Sequence, residues 1–109
     1  MIGSGRWLAI GLVTFASAAA PHRGPARRHP VDIRGLAFHP AVLEVALGDT
    51  VVWTNHDILT HTATLVGRPR WSTGSMGAEA TGRHVAKARG TFGYYCELHA
   101  GMRATLVVR

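Results

Sequence analysis

Apolar and polar residues alternate along this chain in short segments that are typical of β-strands. Residues 43–47 (LEVAL) place large apolar side chains at every second position, the pattern of a half-buried strand. The turn residues Gly48 and Asp49 follow, and residues 50–54 (TVVWT) then form a β-branched and aromatic run. We predict further strands over residues 31–38, 62–66, 90–96 and 103–108, and one that begins at residue 41 or 42, after Pro40.

No segment has the periodicity of a useful amphipathic helix. Residues 82–90 carry too few apolar positions for a helix to be predicted there. Several short strands with regular turn signals predict an all-β domain, either a sandwich or a small barrel. The apolar residues that we expect in its core are Phe38, Leu43, Val45, Leu47, Val51, Trp53, Phe92, Leu106 and Val108.

Length and composition exclude several classes of protein. A chain of 109 residues supports one domain. Its single cysteine, Cys96, excludes a disulfide scaffold and a four-cysteine zinc module. The formal net charge is +6, but the basic residues are scattered or lie in a proline-rich run. We therefore expect a basic surface that prefers an anionic partner, and no binding of nucleic acid.

The first thirty residues differ from the rest. Residues 7–20 are an apolar run that follows Arg6 and ends in small residues, as in an export signal. We predict a secretory signal peptide over residues 1–18, a Pro/Arg-rich arm over 19–30 and the folded domain over 31–109. The mature protein would then be periplasmic and would have no membrane span. The alternative is a leader that is retained as an anchor.

The segment 94–102 (YYCELHAGM) contains the candidate chemistry. Cys96, His99 and Met102 follow one another at intervals of three residues. Thiolate and thioether ligands favour Cu(I), and imidazole binds copper in both oxidation states. Two histidines and a cysteine in a trigonal arrangement with a distant methionine form a blue-copper centre. The second histidine must come from elsewhere in the chain, and His61 is the best candidate.

Four segments of the chain resemble the cupredoxins, the type 1 blue copper proteins, and in particular the amicyanin, plastocyanin and pseudoazurin group. They are FHPAVLEVALGDTVVWTNHD, the HTAT shortly after it, WSTGSM, and GTFGYYCELHAGMRATLVV. The resemblance extends from residue 38 to residue 108. It implies a cupredoxin-like Greek-key β-sandwich and one copper ion. The implied ligands are His61 at the edge of the sandwich, and Cys96, His99 and Met102 on the loop that joins the last two strands.

The resemblance also implies a function. We expect an exported, monomeric electron carrier that cycles between Cu(I) and Cu(II), and not an enzyme. Its transient partners would be a cytochrome or a redox enzyme, and electrons would pass through the exposed edge of His99. Small residues beside His99 and a rim that includes Arg103 would suit brief docking. A periplasmic protein that carries or stores copper is the alternative.

Thr62 is a departure from the family pattern. Many cupredoxins carry asparagine directly after the first histidine ligand, where it ties the ligand loops together. We expect the Thr62 hydroxyl to make a similar hydrogen bond, and its backbone N–H to reach the Cys96 sulfur. The remaining histidines, and Met76 after WSTGS, are weaker candidates for metal ligands, and we expect Met76 to pack against the loop instead.

Overall fold

The computed structural model describes residues 24–109, and every regular element in this range is a β-strand. The predicted all-β fold is confirmed. No helix in the described range is long and apolar enough to cross a membrane. The strands are β1 (Arg28–Arg34), β2 (Ala37–His39), β3 (Val42–Val45), β4 (Thr50–Asn55), β5 (Thr64–Leu65), β6 (Thr81–Val85), β7 (Gly90–Cys96) and β8 (His99–Val108).

Two four-stranded sheets form a sandwich. One has the strand order β2-β1-β4-β6 and the other has the order β3-β8-β7-β5. Two pairings are parallel, β1 with β4 and β3 with β8, and the remaining pairings are antiparallel. Parallel neighbours need crossover connections, so the chain passes repeatedly from one sheet to the other.

The first strand begins earlier than the sequence pattern indicates. We expected a strand over residues 31–38, but β1 begins at Arg28, inside the segment that we assigned to the arm. Its parallel register with β4 starts at Arg28, and the buried Asp49 carboxylate accepts hydrogen bonds from the Arg27 backbone N–H and the His29 ring. These long-range partners draw a proline-rich segment into the sheet.

A tight turn divides the predicted first strand into β1 and β2. Gly35 and Leu36 form this turn, with φ angles of 61° and 59°. Positive φ at both central positions is the conformation that suits a two-residue hairpin, because its twist matches that of the flanking strands. The turn lies beside the loop that follows β4, a position that becomes important at the site.

The core lies between the two sheets and has an aromatic centre. Trp53 and Tyr94 are fully buried with ring centroids 5.5 Å apart, and the Trp53 indole N–H donates to the Tyr94 hydroxyl at 3.2 Å. Burial raises the pKa of Tyr94 to about 12. Of the predicted core residues, six are buried and three (Leu43, Leu47 and Phe92) are partly buried against the cluster.

Candidate metal centre

Two of the candidate ligands lie on one hairpin at the end of the sandwich. Cys96 is the last residue of β7, and His99 is the first residue of β8. Only Glu97 and Leu98 separate the two strands, and the pairing register shifts at Cys96. The expected loop is therefore a two-residue turn, and β8 begins at His99, four residues before the predicted strand start. A short connection between paired strands fixes the spacing of the two side chains.

His61 reaches the same place from the connection between β4 and β5, which joins the two sheets. It follows β4 by six residues and exchanges two backbone hydrogen bonds with Met76, at 3.1 and 2.8 Å. The fully buried Asn55 holds this loop, since its side-chain amide lies within hydrogen-bond distance of the Leu59 and Met76 carbonyls at 2.8 and 2.9 Å. Met76 itself is 1% exposed and belongs to the buried core cluster, although it was expected only to pack against the loop.

The three side chains meet in one cluster, in which His61 and Cys96 are buried and His99 is half-buried. The Cys96 sulfur lies 3.7 Å from Nδ1 of His61 and 3.7 Å from Nδ1 of His99. All three potential ligand atoms are within 4.8 Å of one another. A metal about 2.3 Å from sulfur and about 2.0 Å from nitrogen, with an angle of roughly 120° between them, separates the two ligand atoms by about 3.7 Å. The observed spacing therefore fits a trigonal centre.

Met102 is the fourth predicted ligand. It lies on β8, three residues after His99, and is 4% exposed. Its neighbours along the strand, Gly101 and Arg103, are exposed, so the thioether is enclosed by the domain. Its assignment as the axial ligand stays a prediction.

Thr62 connects the two segments that carry the ligands. Its backbone N–H donates to the Cys96 sulfur at 3.3 Å, and its hydroxyl accepts a hydrogen bond from the Glu97 backbone N–H at 2.9 Å. Both contacts were expected from the sequence. A hydrogen bond to the sulfur withdraws electron density from the thiolate, which is one way in which a protein tunes a metal site.

A polar network extends from Thr62 to the surface. The buried Thr64 hydroxyl contacts Thr62 at 3.0 Å and Ser72 at 2.9 Å, and donates to the Glu97 carboxylate at 2.9 Å. Glu97 also pairs with Arg70 at 2.8 Å. The Arg70 hydrogen bond, followed by the one from Thr64, holds the pKa of Glu97 below its usual value. The carboxylate is therefore charged at neutral pH.

The other described histidines lie in different environments. His56 faces Asp32 at 3.1 Å and Glu79 at 3.6 Å on the surface, and His84 stacks on Trp71 with 4.0 Å between ring centroids. Burial, together with the charge of Lys87, lowers the pKa of His84. Within residues 24–109, one group of histidine, cysteine, aspartate or glutamate side chains has metal-binding geometry. It consists of His61, Cys96 and His99.

Several residues that hold the site were not predicted from the sequence. Asn55, Asp57, Thr64 and Glu97 each bond to a ligand or to a segment that carries one. Glu97 and Thr64 are 33 positions apart, so local spacing gives no signal of their contact. The contact of Asp57 with His61 could have been predicted from the sequence, because a metal-binding histidine usually donates its second ring N–H to a nearby carboxylate.

A two-sheet sandwich with a buried cysteine between two histidines at one end has the architecture of a cupredoxin. No family model matches the chain. The chain is 30% identical to amicyanin from Paracoccus denitrificans over 82 residues, which are 72% of this chain and 63% of that protein. It therefore spans slightly less than two thirds of the length of this relative.

Solved structures agree with this comparison. A mutant of amicyanin in the reduced state superposes with a TM-score of 0.70 at 29% identity, covering 74% of this chain and 81% of that chain. A second mutant, in a reduced Cu(I) form at pH 4, gives a TM-score of 0.70 at 28% identity over 82% and 87% of the two chains. The chain is therefore a homologue of amicyanin and has the fold of a cupredoxin β-sandwich.

Proposed function

We propose that the protein is a type 1 copper protein that carries single electrons between redox partners. The observation that carries this proposal is the buried Cys96 sulfur, equidistant at 3.7 Å from the Nδ1 atoms of His61 and His99. If the Met102 thioether is the fourth donor, the set formed with His61, Cys96 and His99 would favour copper over zinc, for which thioether ligation is unusual. Copper supplies the one-electron change between Cu(I) and Cu(II).

The described residues are suited to keeping the ligands still during electron transfer. Cys96 and His99 sit on paired strands, and His61 is fixed by its backbone bridge to Met76. The Thr62 contacts join the two segments. Because the segments that carry the ligands are held by backbone pairing, little rearrangement would accompany a change of oxidation state of bound copper, and this would favour fast electron transfer.

A partner would dock at the end of the sandwich that carries the site. His99 is half-buried, and Leu98 beside it is 55% exposed. Ile58 and Leu59, in the loop that leads to His61, are 92% and 53% exposed. Exposed apolar side chains next to a ligand suit the brief, small interfaces of electron-transfer complexes. The exposed Arg103 is our candidate for a basic rim that selects an anionic partner.

The absorption spectrum tests the assignment of the site. Purified protein is mixed with Cu(II), and the visible spectrum of the wild type is compared with that of Cys96→Ser. We expect an intense thiolate-to-copper band in the wild type alone, because serine conserves the size of the side chain but removes the sulfur. If neither protein shows such a band, the type 1 assignment is wrong.

A protein that delivers or stores copper is the alternative function. Repeated reduction and oxidation, followed by measurement of bound copper, distinguishes the two. An electron carrier keeps its copper through many cycles, whereas a delivery protein loses Cu(I) rapidly to an acceptor. We favour the electron carrier because the three ligand side chains are enclosed by the domain or half-buried.

We further propose that the protein is exported, is monomeric and is not an enzyme. The expected signal peptide, residues 1–18, lies outside the described residues, as do residues 19–23 of the arm over 19–30. Export would place the domain in the periplasm, where a cytochrome or a redox enzyme would be its partner. N-terminal sequencing of the protein from a periplasmic extract tests the leader, and light scattering tests the monomer.

A further inference from the structure

The carboxylate of Asp57 contacts the ring of His61 on the side away from the cysteine. Its Oδ2 atom lies 2.9 Å from Nε2 of His61, while Nδ1 of the same ring faces the Cys96 sulfur. His61 is fully buried and Asp57 is 18% exposed at the side chain. A carboxylate only accepts hydrogen bonds when it is ionised, so the proton of this contact is on Nε2. Nδ1 then keeps its lone pair toward the site.

Asp57 is itself held by the β1–β2 turn. Its two carboxylate oxygens accept hydrogen bonds from the backbone N–H groups of Gly35 and Leu36, at 2.8 and 2.9 Å. Its own backbone N–H donates to the Asn55 side chain at 2.9 Å. The Leu36 hydrogen bond, with further contributions from Gly35 and His61, keeps the pKa of Asp57 below its usual value against an opposing effect of burial.

The turn gives this carboxylate a fixed position. Gly35 and Leu36 both have positive φ, so their two N–H groups point in a direction that ordinary strand residues would not provide. A continuous series of hydrogen bonds therefore connects the hairpin turn to the Asp57 carboxylate and the carboxylate to the His61 ring. No other side-chain contact links this turn to the site among the described hydrogen bonds.

We propose that Asp57 is a positioning residue that fixes the tautomer and ring orientation of His61, and that the β1–β2 turn is part of the support of the site. This proposal rests on the proposed function. Outer contacts of this kind raise the basicity of a metal-binding imidazole, and their loss typically costs about 10–100-fold in metal affinity. The negative charge also favours Cu(II) over Cu(I), because the higher charge gains more from it.

The first test needs neither copper nor a variant. The ¹⁵N chemical shifts of the His61 ring in the metal-free protein report which nitrogen carries the proton. We expect the Nε2–H tautomer, with a proton that exchanges slowly because the ring is buried. Protonation of Nδ1 alone would overturn the proposal, whatever the protein binds.

The second test compares Asp57→Asn with Asp32→Asn. Asp32 makes a similar contact, 3.1 Å from Nε2 of His56, but it is 46% exposed and its histidine is outside the metal cluster. Both variants remove one negative charge. We expect Asp57→Asn to lower Cu(II) affinity about 10-fold or more and to raise the reduction potential. Asp32→Asn should leave both nearly unchanged.

The outcomes separate this proposal from the function. The role of Asp57 would be overturned if the two substitutions had equal effects, or if Asp57→Asn changed neither copper affinity nor reduction potential. In either case a thiolate-to-copper band would still support the type 1 site. Absence of that band in the wild type would overturn the function, and the tautomer of the metal-free protein would still decide the role of Asp57. Should Asp57→Asn fail to fold, the tautomer measurement alone decides.

Discussion

Replacing Thr62 with valine is expected to weaken the connection between the two ligand-bearing segments without removing a ligand. Thr62 is 4% exposed. Its hydroxyl accepts from the Glu97 backbone N–H at 2.9 Å and contacts the Thr64 hydroxyl at 3.0 Å. Valine has nearly the same shape, so the change removes the polar contacts with little change in packing.

The direction of each hydrogen bond in this network follows from the acceptor-only carboxylate. Because the Glu97 carboxylate cannot donate, the Thr64 hydroxyl donates its single hydrogen to it. Thr62 must then donate to Thr64, and it accepts from the Glu97 N–H. Valine therefore removes two hydrogen bonds and leaves a partly buried backbone N–H without its partner.

The magnitude follows from the cost of an unsatisfied donor. Leaving a buried donor without an acceptor costs about 1–3 kcal/mol, and the Glu97 N–H is only partly buried. We therefore expect the free energy of unfolding of the metal-free protein to fall by about 1–2 kcal/mol. For a domain of this size, this lowers the melting temperature by roughly 5–15 °C.

Calorimetry and denaturant titration measure this loss, and Thr62→Ser is the matched control. Serine keeps the hydroxyl, so this variant should lose little of the hydrogen-bond contribution. The copper band should survive in both variants, since the bond to the Cys96 sulfur comes from the backbone N–H of residue 62. Equal stability of Thr62→Val and the wild type, or an equal loss in Thr62→Ser, would refute the assigned role of the hydroxyl.

Three further predictions concern the core and the axial position. Tyr94→Phe leaves the buried Trp53 indole N–H without an acceptor and should cost about 1–3 kcal/mol at neutral pH. The pKa of Tyr94 is about 12 in the folded protein, so this tyrosine ionises at lower pH in the unfolded chain. The free energy of unfolding of the wild type should therefore fall between pH 10 and 12. Denaturant titration should show a smaller fall in Tyr94→Phe. Gly82→Ala places a Cβ atom 2.7 Å from the Cβ of Thr73 and should lower the free energy of unfolding by about 1–3 kcal/mol, measured by denaturant titration. Gly93→Ala is the control, because its Cβ would have no atom within 4 Å, and should lower it less. Met102→Leu should keep the thiolate band but change the reduction potential measured by voltammetry, and an unchanged potential would exclude an axial role.

The sequence was sufficient to predict elements whose signal is local. Regular alternation and β-branched runs identified β4 and much of the core, and the three-residue spacing identified the residues of the β7–β8 hairpin. The sequence pattern did not predict β6 (Thr81–Val85). Every second residue of this strand is half-buried, but the strand contains a glycine, an arginine and a histidine and has no alternating apolar residues. That strand is defined by its pairing with β4, a contact that no local pattern encodes.

The support of the site was the least predictable part, because its partners are distant in the chain. Thr62 meets Glu97 across 35 positions, and Asp57 meets Gly35 across 22. Polar residues in loops ordinarily face water, so nothing in composition separates a partner such as Glu97 from other surface groups. Only the folded arrangement shows that their hydrogen bonds converge on the segments that carry His61 and Cys96.

The network explains how threonine can stand where many cupredoxins carry asparagine. One hydroxyl offers a single donor, which Thr62 gives to Thr64. The fully buried Thr64 passes the connection to Glu97, and Arg70 holds the far side of that carboxylate. The tie between the ligand segments is thus distributed over several side chains. Because Glu97 both accepts from Thr64 and donates its backbone N–H to Thr62, the polar ring closes. Together with the bond from the Thr62 N–H to the Cys96 sulfur, at least three hydrogen bonds must break before the two segments can separate.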